Sequence, residues 1–148
     1  MPDPKETTLY NWFWTLLDTN KATLDLTNIY KERRANVKHN RPCAKLCWSG
    51  IDPEDNNTDA YIITPIRFEI LLYTRDKSTP EVDIMTQAVN IRNLIISNIT
   101  TCTTVSGLWH RSLHFDQIQN GQSGRDELEY DTSIAFSIVL TYSSTTGT

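Results

Sequence analysis

The chain has 148 residues, the usual size of one domain, and we expect a single domain over 1–148 with a flexible C-terminal tail over about 143–148. Its 39% hydrophobic and 22% charged residues are ordinary for a folded globular domain, and no tract is biased enough to be low-complexity. The net charge of −4 excludes nucleic-acid binding driven by bulk charge alone.

Membrane insertion and secretion are also not expected from the sequence. The longest apolar run, around Leu71 and Leu72, is far shorter than the roughly 18 residues that a membrane-spanning helix needs. The N-terminus lacks the basic segment and the cleavage site of a signal peptide, so we expect a cytosolic start. The three cysteines form an odd count, which favours buried thiols over a disulfide framework.

The first predicted element is a helix over Thr8–Leu17 that is apolar around nearly its whole circumference. One core in a chain of this size covers one side of such a helix, so the pattern predicts that the other side meets a second subunit. We expect that contact to include the large aromatic side chains of the helix: Tyr10, Trp12 and Trp14.

The middle of the chain contains predicted strands separated by a turn-rich loop. A short strand is predicted within 24–33, and a second over Cys43–Trp48, ended by Ser49 and Gly50. Asp52–Asp59 has the composition of an exposed acidic loop. The clearest strand is Tyr61–Arg75, because its apolar residues alternate with polar ones, although Pro65 indicates an edge position or a bulge.

A second helix and two further strands complete the predicted fold. The helix covers about Pro80–Ile99, with an apolar stripe at helical spacing, and the strands are Leu108–Ile118 and Tyr130–Tyr142. We predict an α+β fold with a mainly antiparallel sheet, a helix packed on one face and an additional N-terminal helix. The predicted core residues are Phe68, Ile70, Ile91, Ile95, Phe136 and Ile138.

The cysteine and histidine spacings do not predict a metal site. His39, Cys43 and Cys47 are spaced by four residues, but in a strand Cys43 and Cys47 would lie about 13 Å apart. Two thiolates on one zinc need a shorter separation, because each Zn–S bond is about 2.3 Å. We therefore expect no metal ligands.

Catalytic chemistry is not indicated either. His110, His114 and Asp116 fall on one face of the predicted strand, and a His–Asp pair is half of a catalytic triad. No nucleophile stands in a recognisable elbow, and no glycine-rich phosphate loop is present in the sequence. We expect a solvated or interfacial strand face, no catalytic residue, no cofactor and no enzyme activity.

A basic stretch runs from Lys31 to Lys45, with six basic residues and one acid, Glu32. It lacks the interleaved aromatic residues typical of single-strand binding surfaces. We expect a solvated or subunit-contacting surface that includes Arg33, Arg34 and Arg41, and the alternative is a surface that touches acidic neighbours or DNA passing through a pore.

The arrangement resembles the tail terminator family of long-tailed bacteriophages, including its neck-type members. The features that carry the resemblance are a short N-terminal helix, Asn40-Arg41-Pro42 leading into a strand, the long strand Tyr61–Arg75 followed by a helix, and the closing strands Leu108–Ile118 and Tyr130–Tyr142. The resemblance covers roughly 40–143. The acidic loop at 52–59 and the stretch 24–33 match no pattern of the family.

Membership would imply a structural virion protein that is assembled in the host cytoplasm and located in the tail or neck. Such proteins form hexameric rings that cap the tail tube, stop its growth and join the tail to the head-side connector or stopper protein, with DNA passing through the lumen. The alternatives are a head-completion or stopper subunit, a tail-tube subunit, and a small-ligand binding domain or enzyme. The sequence leaves open whether the tail is contractile and which face meets the tube.

Overall fold

The computed structural model describes residues 4–31, 42–51, 61–73, 80–105, 107–120 and 132–143. The two α-helices are α1 (Lys5–Thr19) and α2 (Glu81–Asn98). Two 3₁₀ turns, Ile99–Thr101 and Gly107–Ser112, follow α2. The strands are β1 (Asn28–Tyr30), β2 (Cys43–Ile51), β3 (Tyr61–Tyr73), β4 (His114–Asn120) and β5 (Thr132–Ser143). The predicted α+β class is therefore confirmed.

The strands form one sheet in the order β1-β2-β3-β5-β4, so the two longest strands, β3 and β5, lie at its centre. The pairs β2–β3, β3–β5 and β4–β5 are antiparallel. The short strand β1 runs parallel to β2, which makes the sheet mixed. A parallel pair needs a connection of about a dozen residues, and the stretch 31–42 supplies it.

One face of the sheet carries the core, because apolar side chains on neighbouring strands pair into continuous rows across it. The central row joins Trp48, Phe68, Phe136 and Phe115, one residue from each of β2, β3, β5 and β4. Both helices pack on this face, and the Phe13 ring on α1 lies 5.1 Å from the rings of Phe68 and Phe136. The aromatic contacts of Phe136 are therefore with α1 and the sheet.

The six residues predicted for the core lie buried, with exposures of 1% or less. They include members of β3, α2 and β5: Phe68, Ile70, Ile91, Ile95, Phe136 and Ile138. A helical stripe and an alternating strand row are the two halves of a sheet–helix layer, so both patterns mark the same core.

The predicted strand over Leu108–Ile118 is wrong in its first half, because Gly107–Ser112 forms a 3₁₀ turn and β4 begins at His114. Gly107 has a φ of +56°, a conformation that glycine adopts without strain. The Ser112 hydroxyl donates to the Trp109 carbonyl and accepts a hydrogen bond from the backbone N–H of Val139. One hydrogen bond within the turn and one from β5 thus hold this segment in place of a strand ladder, and Leu108 and Trp109 are exposed.

Pro65 lies in the central strand β3 rather than in an edge strand. It pairs with Val139 of β5, and it stands one residue beyond the last β2 pair, Ile51 with Ile66. Within the described sheet, β3 therefore has a neighbour on one side only at this residue. A proline is tolerated there because its missing N–H is not needed on the open side.

Candidate functional site

Strands β2 and β4 each contain a β-bulge that changes which residues point toward the helices. On β2, Trp48 pairs with Phe68 and Gly50 pairs with Arg67, so Ser49 is the extra residue. Trp48 and Ile51 therefore share the core face although they are three residues apart.

The bulge on β4 has the same effect at the other side of the sheet. Phe115 pairs with Phe136 and Gln117 pairs with Ala135, which leaves Asp116 as the extra residue. Phe115 and Ile118 therefore lie on the core face together, and both are half-buried against the main core.

The β2 bulge builds an exposed apolar surface beside the start of α1, here called the Trp48 surface. Trp48 is 56% exposed and Ile51 is 39% exposed, which is unusual for core-face residues. They border a groove of about 340 Å³ whose other lining residues are Glu6, Thr7, Tyr10, Ile66 and Phe68.

Tyr10 fixes the position of α1 at this groove. Its hydroxyl donates to the Leu46 carbonyl at 2.5 Å, and the Lys31 carbonyl lies 3.2 Å away. Burial, with a smaller effect from nearby Cys47, raises the pKa of Tyr10 to about 12. The phenol therefore stays protonated as a donor that links α1 to the end of the β1–β2 pair.

A second apolar surface, here called the α2 hollow, lies at the opposite side of the sheet. It has a volume of about 340 Å³ and is formed by the first turns of α2 and by the strands β4 and β5. Val82 and Met85 are 63% and 58% exposed. The remaining lining residues are Glu81, Ile118 and Thr132.

Thr132 is the chemically unusual residue of the α2 hollow. Its side chain is 2% exposed, and within the described part of the chain its hydroxyl oxygen has no hydrogen-bond partner. Buried hydroxyls are normally paired, since an unpaired one costs roughly 1–3 kcal/mol. A hydrogen-bonding partner bound in the hollow would explain why the Thr132 hydroxyl is unpaired among the described residues.

Two of the residues predicted for a subunit interface, Tyr10 and Trp14, lie on the side of α1 that faces β1. Trp14 Nε1 donates to the Ile29 carbonyl at 3.0 Å, and the Lys31 ammonium lies 4.3 Å from the Trp14 ring centroid. Trp12 is half-buried beside Phe13. The premise that one core covers a single side of this helix is therefore wrong, because β1 and the residue that follows it cover the second side. A subunit contact at these residues stays a prediction.

The remaining predicted interface residues, Arg33, Arg34 and Arg41, lie outside the described residues, as does His39. Two of the residues weighed for zinc, Cys43 and Cys47, are buried on the sheet face opposite the helices, in an extended strand. Among the residues that the structure describes, no three His, Cys, Asp or Glu side chains are grouped as a metal site requires.

The predicted histidine face is only partly correct. His114 Nε2 lies 3.2 Å from Asp116 Oδ1 in an exposed contact on β4. His110 belongs to the 3₁₀ turn instead, and its Nε2 lies 3.0 Å from the Cys102 carbonyl. The three side chains therefore do not share one strand face.

Sequence reasoning missed the Trp48 surface and the α2 hollow, although signals for both are present. An isolated glycine inside a strand, here Gly50, is typical of a bulge. A Cβ at Gly50 would lie 2.8 Å from a guanidinium nitrogen of Arg67, so the glycine permits that close approach. Val82 and Met85 lie off the buried stripe of α2, and apolar residues on the solvent side of a helix indicate a contact surface.

Comparison with protein-family models and with curated proteins found no match for this chain. Among the described helices, none has the length and apolar character that crossing a membrane requires.

Proposed function

We propose that this chain is a structural subunit of a phage virion, a tail terminator that forms a hexameric ring, caps the tail tube and joins the tail to the head-side connector. The observation that carries the proposal is the pair of different apolar surfaces at opposite sides of one sheet. That the ring is a tail terminator is inferred from the resemblance of the sequence to that family.

A head-to-tail contact joins two different surfaces of the same subunit, and it closes into a ring when the rotation between subunits allows. The Trp48 surface and the α2 hollow satisfy the first condition, since they share no residue and lie on opposite sides of the sheet. An exposed tryptophan is also the residue type that most often dominates the binding energy of a protein interface.

A ring subunit also needs contacts along the ring axis, toward the tube and toward the connector. The 3₁₀ turn supplies a third exposed apolar site, because Leu108 is 75% exposed and Trp109 is 37% exposed. In this proposal the turn contacts one of the two axial partners. The basic stretch 31–45 contacts a neighbouring subunit or the DNA in the lumen, and no cofactor or catalytic residue takes part.

The runner-up functions use the same fold with different partners. A head-completion or stopper subunit would also form a discrete ring, whereas a tail-tube subunit would stack into open-ended polymers. A monomer would favour the small-ligand binding domain. The exposed His114–Asp116 pair is the one acid–base pair that the sequence singled out, and it stands outside both apolar surfaces.

Native mass spectrometry and negative-stain electron microscopy of the purified chain test the proposal. The expected result is a discrete ring, six-fold with a central opening. A chain that stays monomeric at high micromolar concentration would contradict the ring, and open-ended polymers would favour the tail-tube function.

A further inference from the structure

The Trp48 groove has the composition of a site for a cationic side chain. Three aromatic side chains line it, from Tyr10, Trp48 and Phe68, and Glu6 is the one charged residue among the described residues that line it. A cation is attracted both to the face of an aromatic ring, most strongly to that of tryptophan, and to a carboxylate. The N-terminal end of α1 carries a partial charge of roughly +0.5, which a single carboxylate exceeds. The groove therefore favours a positive group.

The described part of the chain does not itself supply that group. Lys31 comes close to the groove, since its carbonyl lies 3.2 Å from the Tyr10 hydroxyl. Its ammonium, however, lies 4.3 Å from the Trp14 ring centroid and donates to Asn11 Oδ1 at 3.1 Å. This lysine is thus bound along α1, and no described cation lines the groove.

A second copy of the chain offers a suitable cation on α2. One side of this helix, here called the α2 flank, carries residues spaced alternately by three and four positions: Val82, Met85, Val89, Arg92 and Ile96. That spacing is typical of a helix seam that packs against a partner. Val82, Met85 and Ile96 are 63%, 58% and 49% exposed. Val82 and Met85 also line the α2 hollow, so the flank continues that surface along the helix.

Arg92 is the one basic residue of α2, and it has no acidic partner within the described part of the chain. Its Nε and one Nη donate to Asn93 Oδ1 at 3.3 and 3.2 Å. A neutral amide oxygen is a weaker acceptor than a carboxylate, which can take two parallel hydrogen bonds from a guanidinium. The contacts of Arg92 therefore leave this stronger interaction unused.

We propose that Arg92 of one copy inserts into the Trp48 groove of the next copy, where its guanidinium lies against the Trp48 ring and pairs with the Glu6 carboxylate. This inference rests on the proposed function, and it specifies how the two surfaces of the ring subunit meet. At about 1.5 Å per residue, Glu81 stands about 16 Å along α2 from Arg92. Glu6 and Glu81, the acids that line the two surfaces, are then separated by more than the screening length of about 8 Å in physiological salt.

Charge reversal at each residue tests the contact. Arg92→Glu brings two acids together there, and Glu6→Arg brings two guanidinium groups together. Each variant is expected to be monomeric at concentrations where the wild type assembles, because disrupting an interfacial charge pair weakens association by about 30-fold or more. Both side chains are half-buried in the isolated subunit, and circular dichroism verifies that the variants fold.

Mixing the two variants separates a contact between copies from a contact within one chain. The Arg92→Glu chain carries acids at both positions, and the Glu6→Arg chain carries bases at both. Each contact between unlike chains then joins opposite charges, so an equimolar mixture is expected to assemble into rings in which the two chains alternate. Native mass spectrometry counts the two chains by mass. Asn90→Glu is the matched control, because Asn90 is exposed on the side of α2 away from the flank, and this variant is expected to assemble as the wild type does.

Neutral variants keep the test independent of any effect of charge reversal on folding. Glu6→Gln and Arg92→Gln are each expected to weaken association about 10-fold. The double variant is expected to lose no more than either single one, since both substitutions remove the same interaction. Trp48→Leu keeps an apolar side chain but removes the indole ring, and it is expected to weaken association about 3- to 10-fold.

Three results would overturn the inference. A wild-type chain that never assembles would contradict both the ring and this contact. A wild type that assembles while both charge-reversal variants assemble equally well would contradict the contact and leave the ring intact. Variants that are monomeric separately and stay monomeric when mixed would also contradict it, because the two side chains would then not meet each other.

Discussion

Strands β2 and β4 contain the same kind of bulge, but they differ in how far the apolar residues at the bulge are buried. Each bulge places two apolar residues three positions apart on the core face, Trp48 with Ile51 and Phe115 with Ile118. On β4 both residues are half-buried, whereas on β2 both are exposed. The comparison teaches that a bulge selects the face of a side chain, while the neighbouring helix decides whether that side chain becomes core or contact surface.

The largest loss of folding free energy is expected at the centre of the aromatic row. Phe136 is fully buried, and its ring lies within 5.4 Å of the rings of Phe13, Phe68 and Phe115. Phe136→Ala is expected to cost about 3–5 kcal/mol of folding free energy, the range for deleting a buried aromatic side chain. Chemical denaturation measures the loss.

Ser137→Ala is the matched control, since Ser137 points to the opposite face and is half-buried. It is expected to change stability by about 0.5 kcal/mol or less. Equal small losses for both variants would mean that the register of β5 is shifted by one residue, which would reverse every side chain along the strand.

Alanine substitutions at Trp48 and Phe115, the two ends of the aromatic row, directly test the difference in burial between β2 and β4. Phe115→Ala is expected to cost about 1–3 kcal/mol because it opens the edge of a packed cluster. Trp48→Ala is expected to cost less than about 1 kcal/mol in dilute, unassembled protein, because more than half of Trp48 is exposed. If Trp48→Ala proved the more damaging to folding, Trp48 would be a core residue and the comparison would fail.

Tyr10 provides a smaller test of how α1 is held at the Trp48 groove. Tyr10→Phe is expected to cost about 1 kcal/mol, the usual net value of one hydrogen bond. The folded-state pKa of about 12 lies above the ordinary value of 10.0. The phenol's contribution is therefore fully present below pH 10 and is lost as the pH rises through about 12.

Denaturation of the wild type and Tyr10→Phe between pH 8 and 12 checks that sign. The stability difference between them should shrink as the pH rises. A difference that stayed constant to pH 12 would show that the Tyr10 hydroxyl is not the group held protonated by the fold.

Composition and periodicity were sufficient for the α+β class and for the core, because burial of one face leaves a regular apolar pattern in helices and strands. Phe68, Ile91 and Phe136 follow such patterns and lie buried. The 3₁₀ turn at Gly107–Ser112 was missed because Trp109, Leu113 and Phe115 follow the period of a strand. Ser112 instead bonds the Trp109 carbonyl within the turn and the backbone N–H of Val139 on β5.

The candidate site was not predictable from periodicity, since it depends on departures from it. The bulges at Ser49 and Asp116 are defined by pairing with neighbouring strands, and a single strand's sequence does not contain its register. The apolar circumference of α1 is explained in part by the parallel strand β1, which contacts Tyr10 and Trp14, and a subunit contact at these residues remains a prediction. The predicted location of the interface at Arg33, Arg34 and Arg41 remains a prediction.

Interchain cross-linking tests the central claim, that the two sides of the sheet meet head to tail, most directly. Ile51→Cys and Met85→Cys place one thiol at each surface, while the native Cys43, Cys47 and Cys102 are buried and serve as the background in the wild type. After mild oxidation, we predict a disulfide-linked dimer in the mixture of the two variants and none beyond background in either variant alone. Cross-linked dimers of Ile51→Cys alone or of Met85→Cys alone, with none specific to the mixture, would contradict the claim and indicate a two-fold symmetric contact instead.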